Sequence, residues 1–178
     1  MANTYDLLQT INVASGSSQS TLAFSSIPST YKDLAIRISC KSNSTSAGED
    51  TLGVRFNGDS GSNYNSTLIQ GYGSSGQSAA AVGVGTLAWT GTITDNQTSS
   101  STWCFSSINL YIPNYSSSNS KGFIANAYDE GNVTAALMRM FKNKWTGTAA
   151  INSIVFTILS GGSYSFGQYT NAYLYGIK

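Results

Sequence analysis

A chain of 178 residues with 10% charged residues, no histidine and a formal net charge of +1 lacks the broad field that would steer nucleic acid or an anionic membrane. The missing histidine removes Ser-His-Asp and Cys-His catalysis and nearly every zinc site except a four-thiolate one, which two cysteines cannot build. Ser and Thr number 48 and Asn 15, a richness that disfavours long helices because these side chains offer the backbone competing hydrogen bonds, while 40% hydrophobic and 12% aromatic residues argue against disorder.

In chain order, residues 5–14 (YDLLQTINVA) predict a first strand and Gly16-Ser17-Ser18 a turn. Leu22 and Phe24 share one face of a short strand at 21–24. Ile27-Pro28 marks a corner, since proline fixes its own φ and extends the residue before it. It feeds a strand at 33–41, where Leu34, Ile36, Ile38 and Cys40 alternate with Ala35, Arg37 and Ser39, the period of two of a half-buried strand. After a polar loop at 42–50, Leu52, Val54 and Phe56 alternate in a strand at 51–57, and Asn57-Gly58 is a tight-turn dipeptide because both positions need positive φ.

A strand surrounds Leu68 and Ile69 at 64–72, with loop expected over 73–78. The glycine-laced stretch 79–94 reads as β, its glycines suggesting bulges or close backbone approach. A polar loop at 95–101 precedes a strand from Trp103 to Ile112, whose apolar parity changes midway and calls for a bulge near Ser106-Ser107. Loop is expected at 114–121 and strands near 121–129, 133–141, 150–160 and 169–177; at 133–141 (VTAALMRMF) a short helix competes. The pattern predicts one all-β domain over residues 1–178, an antiparallel β-sandwich, with a jelly roll preferred and an immunoglobulin-like sandwich second.

No catalytic, cofactor-binding or metal residue is assigned, and no enzyme activity is expected. Carboxylates number eight. Glu49-Asp50 and Asp129-Glu130 are sequence neighbours that diverge in extended chain, which leaves Asp59 and Asp95 as single carboxylates able to meet another across loops, as a glycosidase would need. Residues 71–76 fit G-x-G-x-x-G formally, but no helix is predicted after them. Asn57-Gly-Asp59-Ser-Gly61-Ser-Asn63 has the alternate oxygen ligands of a calcium loop without its closing glutamate, and reads as a hairpin turn. The Asn-x-Ser/Thr triplets at Asn43, Asn65, Asn96, Asn114 and Asn132 are about as frequent as the composition makes them by chance. Arg139, Lys142 and Lys144 read as the solvated face of a strand, and Cys40 and Cys104 as buried free thiols. Tyr164, Tyr169, Tyr173 and Tyr175 could form core, subunit contacts or a sugar platform. The start MANTYDLLQT is not a signal peptide, and no run reaches the ~20 apolar residues of a membrane helix.

Phe24-x-x-Ile27-Pro28-x-x-Tyr31-x-Asp33-Leu34, then Val54-Arg-Phe-Asn-Gly-Asp59 with Ser62-Asn-Tyr64, Ile151-x-x-Ile154-x-Phe156 and the closing Leu174-Tyr-Gly-Ile-Lys178 resemble small structural proteins of tailed bacteriophages, marine and cyanobacterial ones in particular. The resemblance covers most of the chain and implies a jelly-roll virion protein, made in the host cytoplasm, that decorates heads or forms fibres and knobs, commonly as a homotrimer. The sandwich starting by Tyr5 favours a free-standing decoration or cement subunit, with the major capsid protein as partner. The alternative is a carbohydrate- or receptor-binding fibre knob that contacts a host surface glycan. Neither reading expects nucleic acid, membrane insertion or a cofactor.

Overall fold

The computed structural model describes residues 4–44, 49–72, 75–94, 104–129, 137–159 and 164–178. Among them are twelve strands and no helix: β1 Tyr5–Asn12, β2 Thr21–Phe24, β3 Asp33–Cys40, β4 Glu49–Phe56, β5 Tyr64–Tyr72, β6 Ser75–Gly85, β7 Ala88–Thr94, β8 Ser106–Ile112, β9 Lys121–Asp129, β10 Leu137–Trp145, β11 Ile154–Ile158 and β12 Asn171–Ile177. They form an eight-stranded sheet in the order β1-β12-β3-β8-β9-β10-β5-β6 and a four-stranded sheet in the order β2-β11-β4-β7. Every strand pair is antiparallel. The protein is an all-β antiparallel sandwich.

The pairing is nested. If the β8-β9-β10 meander counts as one unit, β1 pairs with β12, β2 with β11, β3 with the meander, β4 with β7, and β5 with β6. Successive pairs fall alternately in the larger and the smaller sheet. The chain is thus one long hairpin rolled across two layers, with its fold-back between β5 and β6.

Alternation builds the core. Leu34, Ile36, Ile38 and Cys40 of β3 are buried, as are Leu22 and Phe24 of β2, Leu52, Val54 and Phe56 of β4, and Ile154, Phe156 and Ile158 of β11. The two layers approach closely at Gly91, where an added Cβ would lie 2.9 Å from Ile108 Cδ1 and 3.1 Å from the Ala127 Cβ of the larger sheet. A bulge opposite Leu52 and Gly53 sits beside it, so the glycine-laced stretch does contain a bulge and a close approach.

Several expected boundaries change. Residues 79–94 are not one strand: β6 belongs to the larger sheet and β7 to the smaller, with a bend at Thr86-Leu87. Residues 75–78, expected as loop, begin β6. β8 starts only at Ser106 and keeps register with both neighbours; the parity change needs no bulge, because Cys104 and Phe105 precede the strand, while Trp103 lies outside the described residues. The segment 137–145 is strand rather than helix, and residues 133–136 lie outside the described residues. β1 is shorter than expected, ending at Asn12, β11 covers only Ile154–Ile158, and β12 starts at Asn171. Asn57 and Gly58 do carry positive φ, 53° and 68°, but their turn passes from the smaller sheet to the larger one instead of closing a hairpin.

The residues of the resemblance act as long-range staples. The Asp33 carboxylate accepts from Tyr111 OH at 2.6 Å and from the Asn114 backbone N–H at 2.8 Å. The Tyr31 hydroxyl donates to Asp6 at 3.1 Å, and its ring lies so close to Gly176 that a Cβ there would meet it at 2.5 Å. The Asn57 side chain donates to the Ala150 carbonyl and accepts from the backbone of Asn152 and Ser153.

Candidate functional site on the open face of the larger sheet

Each strand of the larger sheet turns one side-chain set toward the smaller sheet and the other outward. In a solvated antiparallel sheet the outward set is ordinarily polar. Here it is not. Tyr5, Leu7, Ile69, Tyr111, Ile124, Tyr128, Met138 and Met140 are exposed large apolar residues, and all lie on strands of this sheet.

The register arranges them in cross-strand rows. One row runs Leu7, Tyr175, Ala35, Tyr111, Ile124, Lys142, Thr67. The next runs Tyr173, Arg37, Asn109, Asn126, Met140, Ile69. A third places Ser107, Tyr128 and Met138 side by side. Two zones result. Over β9, β10 and β5, Ile124, Tyr128, Met138, Met140 and Ile69 make a contiguous apolar patch. Beside it, from β1 across β3 and β8 to β9, Arg37, Asn109 and Asn126 lie near Tyr5 and Tyr111, and together with Ile124 of the patch they line a shallow hollow of about 280 Å³.

The surface is held rigid from its ends. Tyr111 is fixed by its bond to Asp33, which also pushes the phenol pKa up. Asp6 binds Tyr31 and forms an ion pair with Lys178 at 2.6 Å; the hydrogen bond from Lys178 holds its carboxyl below the usual range. Tyr5 meets Tyr175 edge-on, with centroids 6.4 Å apart at 78°.

The other residues singled out from sequence have structural roles. Asp59 accepts from Trp145 Nε1 at 2.7 Å, from the Gly61 N–H at 2.9 Å and from Asn63 Nδ2, so its oxygens close the loop themselves rather than facing an ion. Asp129 is buried and accepts from Thr94 and Ser106. Asp50 is buried, with Oδ2 lacking a partner. Asp95, Glu130, Asn96 and Asn132 lie outside the described residues, and among the described ones no acidic or thiol cluster fit for a metal occurs. Gly71 ends in β5 and Gly76 lies in β6, so the glycine motif joins two strands and has no helix N-terminus to receive a phosphate. Lys142 and Lys144 are exposed as expected, but Arg139 has the inward parity and donates to Gln70 and Thr92. Cys40 is buried and Cys104 only half-buried, both free; burial pushes the Cys40 thiol pKa up. Tyr173 and Tyr175 stand half-buried on the open face, Tyr164 packs against the core, and Tyr169 is an exposed loop residue with φ of 68°.

Lys121 was missed by sequence reasoning. It is 1% exposed, and its ammonium donates to the carbonyls of Asn119, Thr148 and Ala149 and sits 5.6 Å from the Trp145 ring. Burial pulls its pKa down, and the carbonyls satisfy its protons, as a buried cation requires.

Asp59 carries a pH dependence. Its pKa is held below the ordinary 3.8, chiefly by the Trp145 hydrogen bond. A carboxylate with a lowered folded-state pKa adds stability above its unfolded value, and that stability fades as pH falls through the folded one. Acid titration of the wild type below pH 3.8 should therefore lose a component that Asp59→Asn lacks; parallel acid-unfolding curves for the two proteins would contradict this.

No protein family, curated protein or solved structure matches the chain.

Proposed function

We propose that the chain is a structural subunit of a tailed-bacteriophage virion, a capsid decoration or cement protein that self-associates as a trimer and docks on the major capsid protein. The observation that carries this reading is the apolar patch of Ile124, Tyr128, Met138, Met140 and Ile69 on an otherwise uncovered sheet. Contiguous exposed apolar surface of this kind marks protein contact in soluble proteins.

The nested pairing supports a jelly-roll reading of the sandwich. Setting aside the β1·β12 pair and counting the meander once leaves eight positions, four per layer, the strand number of a two-sheet jelly roll. That fold occurs in viral capsid proteins and in lectins, so it is compatible with the proposed role without proving it. In this reading the β1·β12 pair and the two extra meander strands widen one layer into the contact surface.

Mass action then does the work: contacts made only in the assembled shell stabilise that state. Apolar contacts are not screened by salt as ion pairs are, which suits a particle in seawater. Sedimentation equilibrium should give a mass three times 18.8 kDa, unchanged between low and high salt. A mass of 18.8 kDa at every concentration would overturn the self-association.

A second reading, a carbohydrate- or receptor-binding knob, is favoured by one observation, the hollow between Tyr5 and Tyr111 with its guanidinium and two amides. It borders the apolar patch, and Ile124 belongs to both.

A further inference from the structure

The hollow has a construction of its own. Ala35 forms its floor, between Tyr175 on one neighbouring strand and Tyr111 on the other. Strands lie about 4.8 Å apart, so the tyrosine strands flank this floor about 10 Å apart. A larger residue than alanine would fill the gap. Tyr5 covers one side through its edge-on contact with Tyr175.

The next row supplies polarity. Arg37, Asn109 and Asn126 stand side by side on three adjacent strands and line the same hollow. Arg37 is exposed and makes no hydrogen bond or ion pair among the described residues. Asn126 Oδ1 is closed off from solvent and has no hydrogen-bond partner, so it costs the fold free energy and offers nothing to a ligand. The nearest carboxylates along the sheet edge, Asp33 and Asp6, are each engaged by other groups, which leaves the guanidinium as the uncommitted charge of the hollow.

Aromatic walls, amide acceptors and donors, and one uncommitted guanidinium have a definite complement. Tyrosine rings cover the C–H face of a pyranose while the amides bind its hydroxyls, and the planar guanidinium pairs with a carboxylate or sulfate through two parallel hydrogen bonds. We propose that this hollow binds an acidic sugar residue, a uronate or a sulfated hexose, with Arg37 taking the anionic group and the ring lying over Ala35 beside Tyr111 and Tyr5. This rests on the second reading above and specifies its ligand.

The test is calorimetric titration of the intact, assembled protein with an oligogalacturonate, a sulfated dextran oligomer and a neutral oligogalactose. At least one acidic oligomer should bind in preference to the neutral one, and which of them does identifies the anionic group. Arg37→Gln should weaken that binding by about tenfold, the value of one charge-assisted pair, and Ala35→Leu should abolish it by filling the floor. Equal binding of acidic and neutral sugars, lost in Ala35→Leu, would overturn the acidic specificity and leave a glycan site. Acidic binding unaffected by either variant would overturn the location. No binding to any of the three would overturn both this proposal and the glycan reading.

Discussion

Phe56→Ala is expected to lower unfolding stability by about 3–5 kcal/mol, a large part of the ~5–15 kcal/mol of a typical domain. Phe56 is fully buried and belongs to the smaller sheet, yet its ring meets three rings carried by the larger one. Phe123 lies at 5.1 Å, Trp145 at 5.6 Å and Tyr64 at 6.2 Å between centroids. Truncation removes the one aromatic that bridges the layers there. Two of the three rings are held in place and resist collapse into the space: Trp145 by Asp59 and by Lys121 over its face, and Tyr64 by its hydroxyl on the Phe56 backbone. Burial pushes the Tyr64 phenol pKa up to about 12, so it stays neutral there. Urea unfolding followed by tryptophan fluorescence measures the loss; a change under about 1 kcal/mol would mean the site relaxes freely and the bridge is not structural.

Ile69→Asp combined with Met140→Asp should convert the assembly into monomers while leaving the fold intact. These residues are direct cross-strand partners, 62% and 48% exposed, at the centre of the apolar patch. Two carboxylates there place like charge in any interface formed over the patch, and an unpaired buried charge is far costlier than the lost apolar contact. In the separated subunit both face water, where a surface substitution typically shifts stability by about 0.5 kcal/mol or less, plus a modest repulsion between facing like charges. Light scattering after size exclusion and a thermal melt report the two effects separately. An unchanged assembly would move the contact off this face. A collapsed melt would show the patch to be core rather than surface.

How much of this was legible follows from particular residues. β3, β2 and β11 show clean alternation because one face meets the core and the other is polar or small, so period two survives in the sequence. β10 does not: Leu137 and Phe141 point inward while Met138 and Met140 point out. Apolar residues of both parities erase the period and imitate a helix, and the same property is the ground for proposing this face as a contact surface. Tyr111 beside Leu110 and Ile124 beside Phe123 repeat the pattern. That doubling is the signal that could have marked the site: apolar residues on both faces of a strand predicted to be solvated on one.

What remained hidden was long-range. Asn57-Gly58 fixes a local conformation, and local chemistry cannot say that the chain then leaves one sheet for the other. Thr86-Leu87 carries no turn chemistry, so the passage between layers within 79–94 left no trace. No local pattern gives Asp33, Asp59 and Lys121 these roles, because their partners, Tyr111, Trp145 and the 148–149 carbonyls, are 78, 86 and up to 28 positions away. Ala35 becomes a site residue only when the register sets it between two tyrosines.

The most direct test of the proposed structural role is the amount of this chain in purified particles of the tailed phage that the proposal makes its source, by quantitative mass spectrometry against the major capsid protein. A small whole-number ratio between the two, with cross-links from the larger sheet to the capsid protein, is the expected result. Its absence from the particles, or a trace amount confined to the tail, would contradict a subunit that coats and stabilises the shell.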